Sequence, residues 1–340
     1  MWFSILACEA IGQPVGGALD MDAGALDMYI ANSYGSRTNV RSPHNWGRLR
    51  LAEVTTLRSA IADLVADGAT IAMEGFTHLI PVAAGHEVIR QHKTDLTLVR
   101  MTPDVIYDQI IGAGCAARLV FSWGGNPGVG SLHRLRDAIE NGHPRALEIE
   151  EHTHAGMAAR YSAGAAGLPF GILHGYEGTD LREHTNVATV MSPFDGREVT
   201  VVPAINPDLA VIHAQQADRK GNVGLWGITG VQREIALASV KVLVTVEEVV
   251  DTIELRGPNG AILPSWTVDA VAEVPRGSHP SYSMGYTERD NAFYTEWDAI
   301  SRDRETFERW VEEYVTGADD FTTYLAAVDD GTVTSLVDHV

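Results

Sequence analysis

The chain has 340 residues, of which 45% are hydrophobic, enough apolar material for one large α/β core or two smaller ones. Its formal net charge of −20 argues against nucleic acid and anionic membranes as partners, because a strongly acidic surface repels both. With only 2 cysteines, Cys8 and Cys115, the sequence excludes a disulfide framework and a cysteine-rich metal site, and it fits a reducing cytoplasm.

Residues 1–50 show no sustained apolar periodicity, and we expect a poorly ordered N-terminal extension that the fold does not need. No basic residue precedes Arg37, so this stretch does not match an export signal, and no run of about 18 apolar residues predicts a membrane span. The main domain is predicted over residues 51–330, with a tail at 331–340. Its first helix is capped by Thr55 or Thr56 and ends at Gly68.

Short apolar runs typical of strands alternate with helical patterns along most of the chain. This alternation indicates the α/β class, as an open α/β/α fold with a mostly parallel sheet and helices on both faces. The polar stretch Gly175–Pro193 is predicted to be a surface excursion, and an apolar stripe after Asp290 predicts C-terminal helices that pack on the core. The predicted strands are Thr70–Met73, Leu96–Arg100, Leu119–Phe121, Ala146–Ile149, Phe170–Leu173, Glu198–Val202, Leu209–Ala214, Val240–Val246 and, as an edge strand, Trp266–Val274.

A glycine-rich segment joins the strand at Leu119–Phe121 to a predicted helix that carries His133, Arg134 and Arg136 in its first turns. Glycines let backbone N–H groups approach a ligand closely, and a helix N-terminus favours an anion. The segment therefore predicts a cradle for an acidic or phosphate-bearing substrate, although an ordinary tight connection would show the same glycines. It matches neither a P-loop nor a dinucleotide fingerprint. The candidate binding residues are Ser122, Gly124, Gly125, Asn126, Gly128 and Gly130.

Four turns follow predicted strand ends, at residues 74–81, 122–130, 150–156 and 213–227. Ligands of parallel sheets lie beyond the carboxyl ends of the strands, so we expect all four turns to line one crevice. In the first turn, Gly75 permits close backbone approach and Phe76 follows it.

Charged and imidazole side chains near two strand ends are further candidates. His152 and His154, beside Glu150 and Glu151, lack a third ligand at metal-site spacing, so we expect one histidine to bind substrate or to cap the helix at Ala155. Glu247 and Glu248 are predicted to end a strand, a position typical of catalytic carboxylates, with a helix cap or a surface position as the alternative.

Several blocks, in order, resemble the A subunit of the class I acyl-CoA:carboxylate CoA-transferases, most closely the glutaconate CoA-transferase α-subunit type. They are D-G-A-T-I-A-M-E-G-F at 67–76, N-P-G-V-G at 126–130, G-L-P-F at 167–170, I-H-A-Q-Q-A at 212–217, G-N-V-G-L-W-G at 221–227 and V-D-A-V-A-E-V-P-R-G-S-H-P-S at 268–281. The resemblance implies the open α/β/α CoA-transferase fold and a hetero-oligomer with a B subunit that carries the nucleophilic glutamate. It further implies that this chain supplies no catalytic residue of its own, and that coenzyme A enters as a thioester substrate, without a separate cofactor or metal.

On this resemblance, the substrate-binding residues extend to Gly75, Phe76, His154 and Gln215. The chain departs from the family at Glu74, which stands where the signature has a first glycine, and its turn up to Pro81 is one residue shorter. Two other functions stay open: a CoA-thioester hydrolase subunit of steroid-ring breakdown and a non-catalytic CoA-ester-binding subunit. The hydrolase group carries a carboxylate where this chain has Ala155, which disfavours that alternative.

Overall fold

The computed structural model describes residues 52–332. The predicted extension at 1–50 lies outside this range, and so does the predicted tail except for Gly331 and Thr332. No helix among the described residues is long and apolar enough to cross a membrane. The strands are β1 Glu53–Val54, β2 Thr70–Glu74, β3 Leu96–Val99, β4 Ala116–Phe121, β5 Glu148–Glu151, β6 Phe170–Leu173, β7 Ala188–Met191, β8 Glu198–Pro203, β9 Leu209–Asp218, β10 Val223–Leu225, β11 Lys241–Val250, β12 Ala261–Leu263 and β13 Ala270–Glu273.

The helices of the described chain lie between and after these strands. A 3₁₀ turn at Ser265–Thr267 precedes β13, and a π-helical turn at Glu312–Thr316 follows α9. The α-helices are α1 Leu57–Leu64, α2 Val82–Arg90, α3 Val105–Gly112, α4 His133–Glu140, α5 His154–Ala165, α6 Leu181–His184, α7 Gln232–Ala238, α8 Asn291–Arg302, α9 Arg304–Val311 and α10 Phe321–Asp329.

The main sheet of the described chain has ten strands, in the order β1-β13-β11-β9-β2-β3-β4-β5, with β10 and β12 attached beside β9. All neighbours along this path pair in parallel, and only the β9-β10-β12 pairings are antiparallel. The carboxyl ends of the parallel strands therefore lie at one edge, which we call the carboxyl edge. This confirms the predicted mostly parallel sheet.

Alternate residues of the central strands enter two separate apolar cores, as the period of two in a strand requires. Ile71 and Met73 of β2 pack with α1–α4 and the C-terminal helices, whereas Ala72 packs with α5 and α7. Helices thus cover both faces of the sheet, as predicted. The C-terminal apolar stripe belongs to the first core and includes the fully buried Trp297 and Trp310.

Some predicted elements were correct in position but wrong in extent or pairing. The strands at Phe170–Leu173 and Glu198–Pro203 do not extend the main sheet but form a second, antiparallel sheet in the order β6-β8-β7. The predicted excursion Gly175–Pro193 contains α6 and β7. Trp266 lies in a 3₁₀ turn, so only the end of the predicted edge strand is β13, which lies between β1 and β11.

Candidate functional site

The carboxyl edge brings together the segments that follow β2, β3, β4 and β5, because these strands are neighbours in the sheet. The candidate site is built from the 74–81 turn after β2, the glycine loop (residues 122–130) after β4 and the start of α5 after β5. Three of the four turns predicted to share a crevice thus follow strands within the run β2-β3-β4-β5, at the same edge of the sheet. The fourth prediction was wrong in detail, because β9 continues through Asp218 instead of ending near His213.

The backbone of the glycine loop is held by hydrogen bonds to the segment that follows β3. Gly125 N donates to Pro103 O at 3.0 Å, and the Ser122 hydroxyl donates to Met101 O at 2.7 Å. Within the loop, Gly130 N donates to Asn126 O at 2.8 Å. The loop therefore has a fixed shape, and Ser122 is partly exposed beside it.

Two of its glycines are required by close packing. A Cβ added at Gly125 would lie 2.9 Å from the main-chain oxygen of Gly130, and one added at Gly128 would lie 2.8 Å from Cβ of Tyr294. Gly130 has open space around it but a φ of 100°, which side chains rarely adopt. Gly124 is partly exposed, while Gly128 and Gly130 are exposed at the carboxyl edge.

The side chain of Asn126 does not offer its amide to a ligand, contrary to the sequence-based expectation. It is 2% exposed; Nδ2 donates to Tyr294 O at 2.7 Å, and Oδ1 accepts from Gly128 N at 2.8 Å. Asn126 thus folds the glycine loop onto α8. A sequence pattern cannot separate this role from ligand binding, because both use the same amide.

The basic residues of α4 are each paired with a carboxylate within the protein. His133 Nε2 lies 2.8 Å from Asp298, Arg134 is paired with Asp137 and Arg136 with Glu140. The helix has no side-chain cap. An anion at this loop would therefore meet backbone groups rather than the cations that the sequence placed in the first turns.

The 74–81 turn is tight, and its glycine is needed for packing. A Cβ on Gly75 would lie 2.6 Å from Leu79 O, and Gly75 O accepts a 2.8 Å hydrogen bond from Arg100. Thr77 and Leu79 have positive φ angles of 57° and 53°. Phe76 is 39% exposed, so of the two predicted residues it is the one that presents a side chain at the carboxyl edge.

Glu74 is a buried carboxylate beneath the site, and its role was not predicted from the sequence. It is 2% exposed and accepts hydrogen bonds from Met101 N at 2.8 Å and from the Tyr161 hydroxyl. Burial raises its pKa, while the nearby Arg100 guanidinium opposes that rise. Glu74 thus links the end of β2 to the segment after β3 and to α5. The only signal in the sequence was its departure from the family's glycine.

The start of α5 separates the two candidate histidines. Neither caps the helix, because Thr153 is the N-cap and its hydroxyl accepts from Gly156 N at 2.9 Å. His152 is 1% exposed and lies 2.8 Å from Glu150 and 2.9 Å from the Tyr176 hydroxyl. His154 is exposed at the first turn of α5 and stays a candidate for substrate binding.

Glu150 is held ionised by its neighbours. The hydrogen bond with His152 is the largest cause that lowers the pKa of Glu150 to about 2; Arg160 and Arg118 lower it further, and burial opposes them. No group of three or more metal-ligating side chains was found among residues 52–332.

Gln215 is also structural, contrary to its predicted role. Its Nε2 donates to Trp226 O at 3.0 Å, its Oε1 accepts from Trp226 N at 3.1 Å, and it is completely buried. It fixes β10 against β9.

Glu247 and Glu248 do not end a strand, contrary to the prediction, since β11 continues to Val250.

Glu247 belongs to a buried polar pair. Its Oε1 lies 3.0 Å from His213 Nε2, and its Oε2 accepts from Arg276 N at 2.6 Å. Burial raises the pKa of Glu247, but the hydrogen bonds from His213, Ser283 and Arg276 N outweigh it and lower the pKa. These contacts join β9, β11 and the segment after β13.

Comparison with known proteins assigns this arrangement to a family. The sequence profile described as "Coenzyme A transferase" matches residues 54–274. The chain is 59% identical over 283 residues to the A subunit of 3-oxoadipate CoA-transferase from Pseudomonas knackmussii, covering 83% of this chain and 100% of the relative. It is 28% identical to the cholesterol ring-cleaving hydrolase IpdA subunit of Rhodococcus jostii, covering 80% of this chain and 94% of the relative.

Glutaconate CoA-transferase of Acidaminococcus fermentans is similar in both sequence and structure. Its A subunit is 32% identical, with 81% of this chain and 91% of the relative covered. Its crystal structure superposes with a TM-score of 0.75 at 30% identity, covering 82% of this chain and 93% of that chain. The chain therefore belongs to the coenzyme A transferase family.

Proposed function

We propose that this chain is the A subunit of a two-subunit cytoplasmic CoA-transferase, which moves CoA between the thioester of a dicarboxylic acyl group and a free carboxylate. The observation that carries the proposal is the 59% identity to the A subunit of 3-oxoadipate CoA-transferase, over the whole length of that relative. The partner is a B subunit of the same family, and coenzyme A takes part as a substrate thioester.

The reaction proceeds through the carboxylate of a glutamate on the B subunit. That carboxylate attacks the thioester carbonyl, expels CoA as its thiolate and forms an acyl-glutamyl anhydride. The thiolate then attacks the glutamyl carbonyl, releases the acyl group as a carboxylate and leaves CoA bound to the glutamate. The acceptor carboxylate repeats the two steps in reverse. Such a covalent relay divides one difficult acyl transfer into easier steps.

In this scheme the chain's own contribution is the shape of the acyl pocket. The fixed glycine loop and the 74–81 turn form its walls, with Phe76 and the exposed His154 as side chains facing the carboxyl edge. Preorganised backbone donors in such loops stabilise a developing oxyanion without reorganisation during the reaction.

The test is CoA exchange by the complex of this chain with its B subunit, supplied with labelled acetate and an acyl-CoA. Transfer of label into acyl-CoA supports the proposal, whereas CoA release without an acceptor supports hydrolysis. Binding of CoA esters without either reaction supports a non-catalytic role. The chain alone, free of its partner, is expected to be inactive, and turnover by it would contradict the proposal.

The hydrolase is the second candidate because of the similarity to the cholesterol ring-cleaving subunit. Ala155 disfavours it. This residue is exposed in the first turn of α5, next to His154, and it faces the carboxyl edge. The hydrolase group carries a carboxylate at this position, whereas this chain carries only a methyl group. A general base is thus missing from the place where hydrolysis would need it.

A further inference from the structure

Arg289 is a cation beside the candidate site to which residues 52–332 give no anionic partner. Its Cζ lies 4.6 Å from the centre of the Tyr294 ring, a cation–π contact, and the residue is partly buried. Its Nε is inaccessible to solvent and has no hydrogen-bond partner among the described residues. No ion pair of this part of the chain involves Arg289, although most other arginines there bind a carboxylate.

The position of Tyr294 places this guanidinium next to both walls of the site. Tyr294 O accepts from Asn126 of the glycine loop at 2.7 Å, and its Cβ abuts Gly128. Its hydroxyl lies close to Ser281, which donates a 2.9 Å hydrogen bond to Thr77 O in the 74–81 turn. Arg289 is therefore packed on the residue that joins the glycine loop to the 74–81 turn.

Asp104 is the carboxylate that has an electrostatic effect on Tyr294. Arg100 already binds Asp104 through two hydrogen bonds of 2.8 and 3.1 Å. Two residues before Arg289, the buried Thr287 Oγ1 also lacks a hydrogen-bond partner within the described range. Buried polar groups are normally paired, so unpaired groups at a ligand-facing edge need an explanation.

We propose that Arg289 recognises an anionic group of the substrate, either the distal carboxylate of the acyl group or a phosphate of CoA. A guanidinium fork matches both anions in a bidentate way, and partial desolvation strengthens the contact. The inference rests on the proposed function, of which it names the anion-binding residue. Arg289 is thus a specificity-determining residue, not part of the covalent chemistry.

The test compares Arg289→Gln and Arg289→Lys with the wild type, in the complex with the B subunit. The matched control is Arg145→Gln, which removes one charge from a surface pair with Asp95 where β3 and β5 begin, at the opposite edge of the sheet. Calorimetric titrations use adipate against hexanoate, which has one carboxylate fewer, and CoA against pantetheine, which has no phosphates. KM is measured for the same two acids as acceptors.

If the carboxylate is the ligand, Arg289→Gln weakens adipate binding and raises its KM by roughly ten- to hundredfold, as expected for a lost charged hydrogen bond, and leaves hexanoate unchanged. If a phosphate is the ligand, Arg289→Gln weakens the binding of CoA by that factor and leaves the binding of pantetheine unchanged. Arg289→Lys keeps the charge and recovers part of the loss. Arg145→Gln behaves as wild type.

The proposal is overturned if Arg289→Gln binds adipate and CoA within about twofold of wild type, or if the wild type binds neither. It is equally overturned if Arg289→Gln weakens the binding of all four ligands alike, because that result indicates that Arg289 only supports the position of Tyr294. The titrations need no turnover. A complex that binds an anion through Arg289 but transfers no CoA would contradict the proposed function and leave this inference intact.

Discussion

The side chain of Asn126 donates a 2.7 Å hydrogen bond to the main-chain oxygen of Tyr294, which joins the glycine loop to the first turn of α8. Both residues are 2% exposed, so the bond is shielded from solvent. The same side chain accepts from Gly128 N. One amide thus sets both the shape of the loop and its position on the core.

Replacing Asn126 with alanine should lower the stability of the chain by about 1–3 kcal/mol, because Tyr294 O and Gly128 N then lose a buried partner. Thermal unfolding of the isolated chain measures this. Thr295→Ala, which removes only an exposed side-chain hydrogen bond to Asn291 O at 3.2 Å, is the control. An unchanged melting temperature with a large loss of exchange rate would show instead that Asn126 faces the substrate.

Gly128 and Gly130 are each replaced by alanine and by asparagine, and we expect the two substitutions to rank in opposite order at the two positions. At Gly128 an added Cβ meets Tyr294, so the larger side chain should be worse than alanine. At Gly130 there is space, and the cost of about 1–3 kcal/mol comes from the positive φ, which asparagine tolerates better. Chemical denaturation of the four variants gives the ranking. The same order at both sites would refute the packing argument.

Removing the hydroxyl of Tyr161 should destabilise the chain by about 1–3 kcal/mol, because the buried Glu74 carboxylate loses a donor. The cost should shrink when Glu74 is already leucine, which accepts no hydrogen bond, since each change then removes the same contact. A double-mutant cycle on unfolding free energies measures this coupling. Strictly additive effects would mean that the hydrogen bond contributes nothing.

The Glu150 carboxylate should make stability depend on pH in the acid range. Its pKa is lowered from 4.5 to about 2 by His152 first, so its contribution is complete above pH 4.5 and is lost as the pH falls towards 2. Glu150→Gln should therefore be most destabilising above pH 4.5 and should approach wild type only as the pH falls below about 2. Denaturation curves across this range test it.

The control for that experiment is Glu148→Gln on the same strand. Glu148 is paired with Arg118 at 3.2 Å but its side chain is 66% exposed, so solvent screens the pair. Its substitution should change stability little at any pH in the series. An effect of Glu150→Gln that is independent of pH would show that the loss comes from packing rather than from charge.

The sequence predicted the parallel sheet and its two helical layers well, because the spacing of apolar residues and the residues that cap helices are local signals of strands and helices. Thr56 caps α1 as expected, its side chain accepting from Ser59 N at 3.2 Å. The strand at Phe170–Leu173 was located correctly but assigned to the wrong sheet. Apolar runs of similar length look alike whether their pairing is parallel or antiparallel, and the pairing depends on partners distant in sequence.

The sequence predicted that several turns lie at one edge of the sheet, but it did not predict the contacts that their side chains make. The turns after β2, β4 and β5 do meet at one edge. Asn126 and Gln215, however, bond to backbone groups 168 and 11 residues away, contacts that no local pattern encodes. The network of Glu74 and Tyr161 was missed for the same reason.

Locating the covalent CoA intermediate shows directly which subunit carries the nucleophile. The complex of this chain with its B subunit is mixed with acyl-CoA, the reaction is quenched, and the intact mass of each chain is measured. We predict that CoA is attached only to the B subunit, whereas this chain keeps its unmodified mass. A CoA adduct on this chain would contradict its assignment as the one that shapes the pocket without supplying the nucleophile.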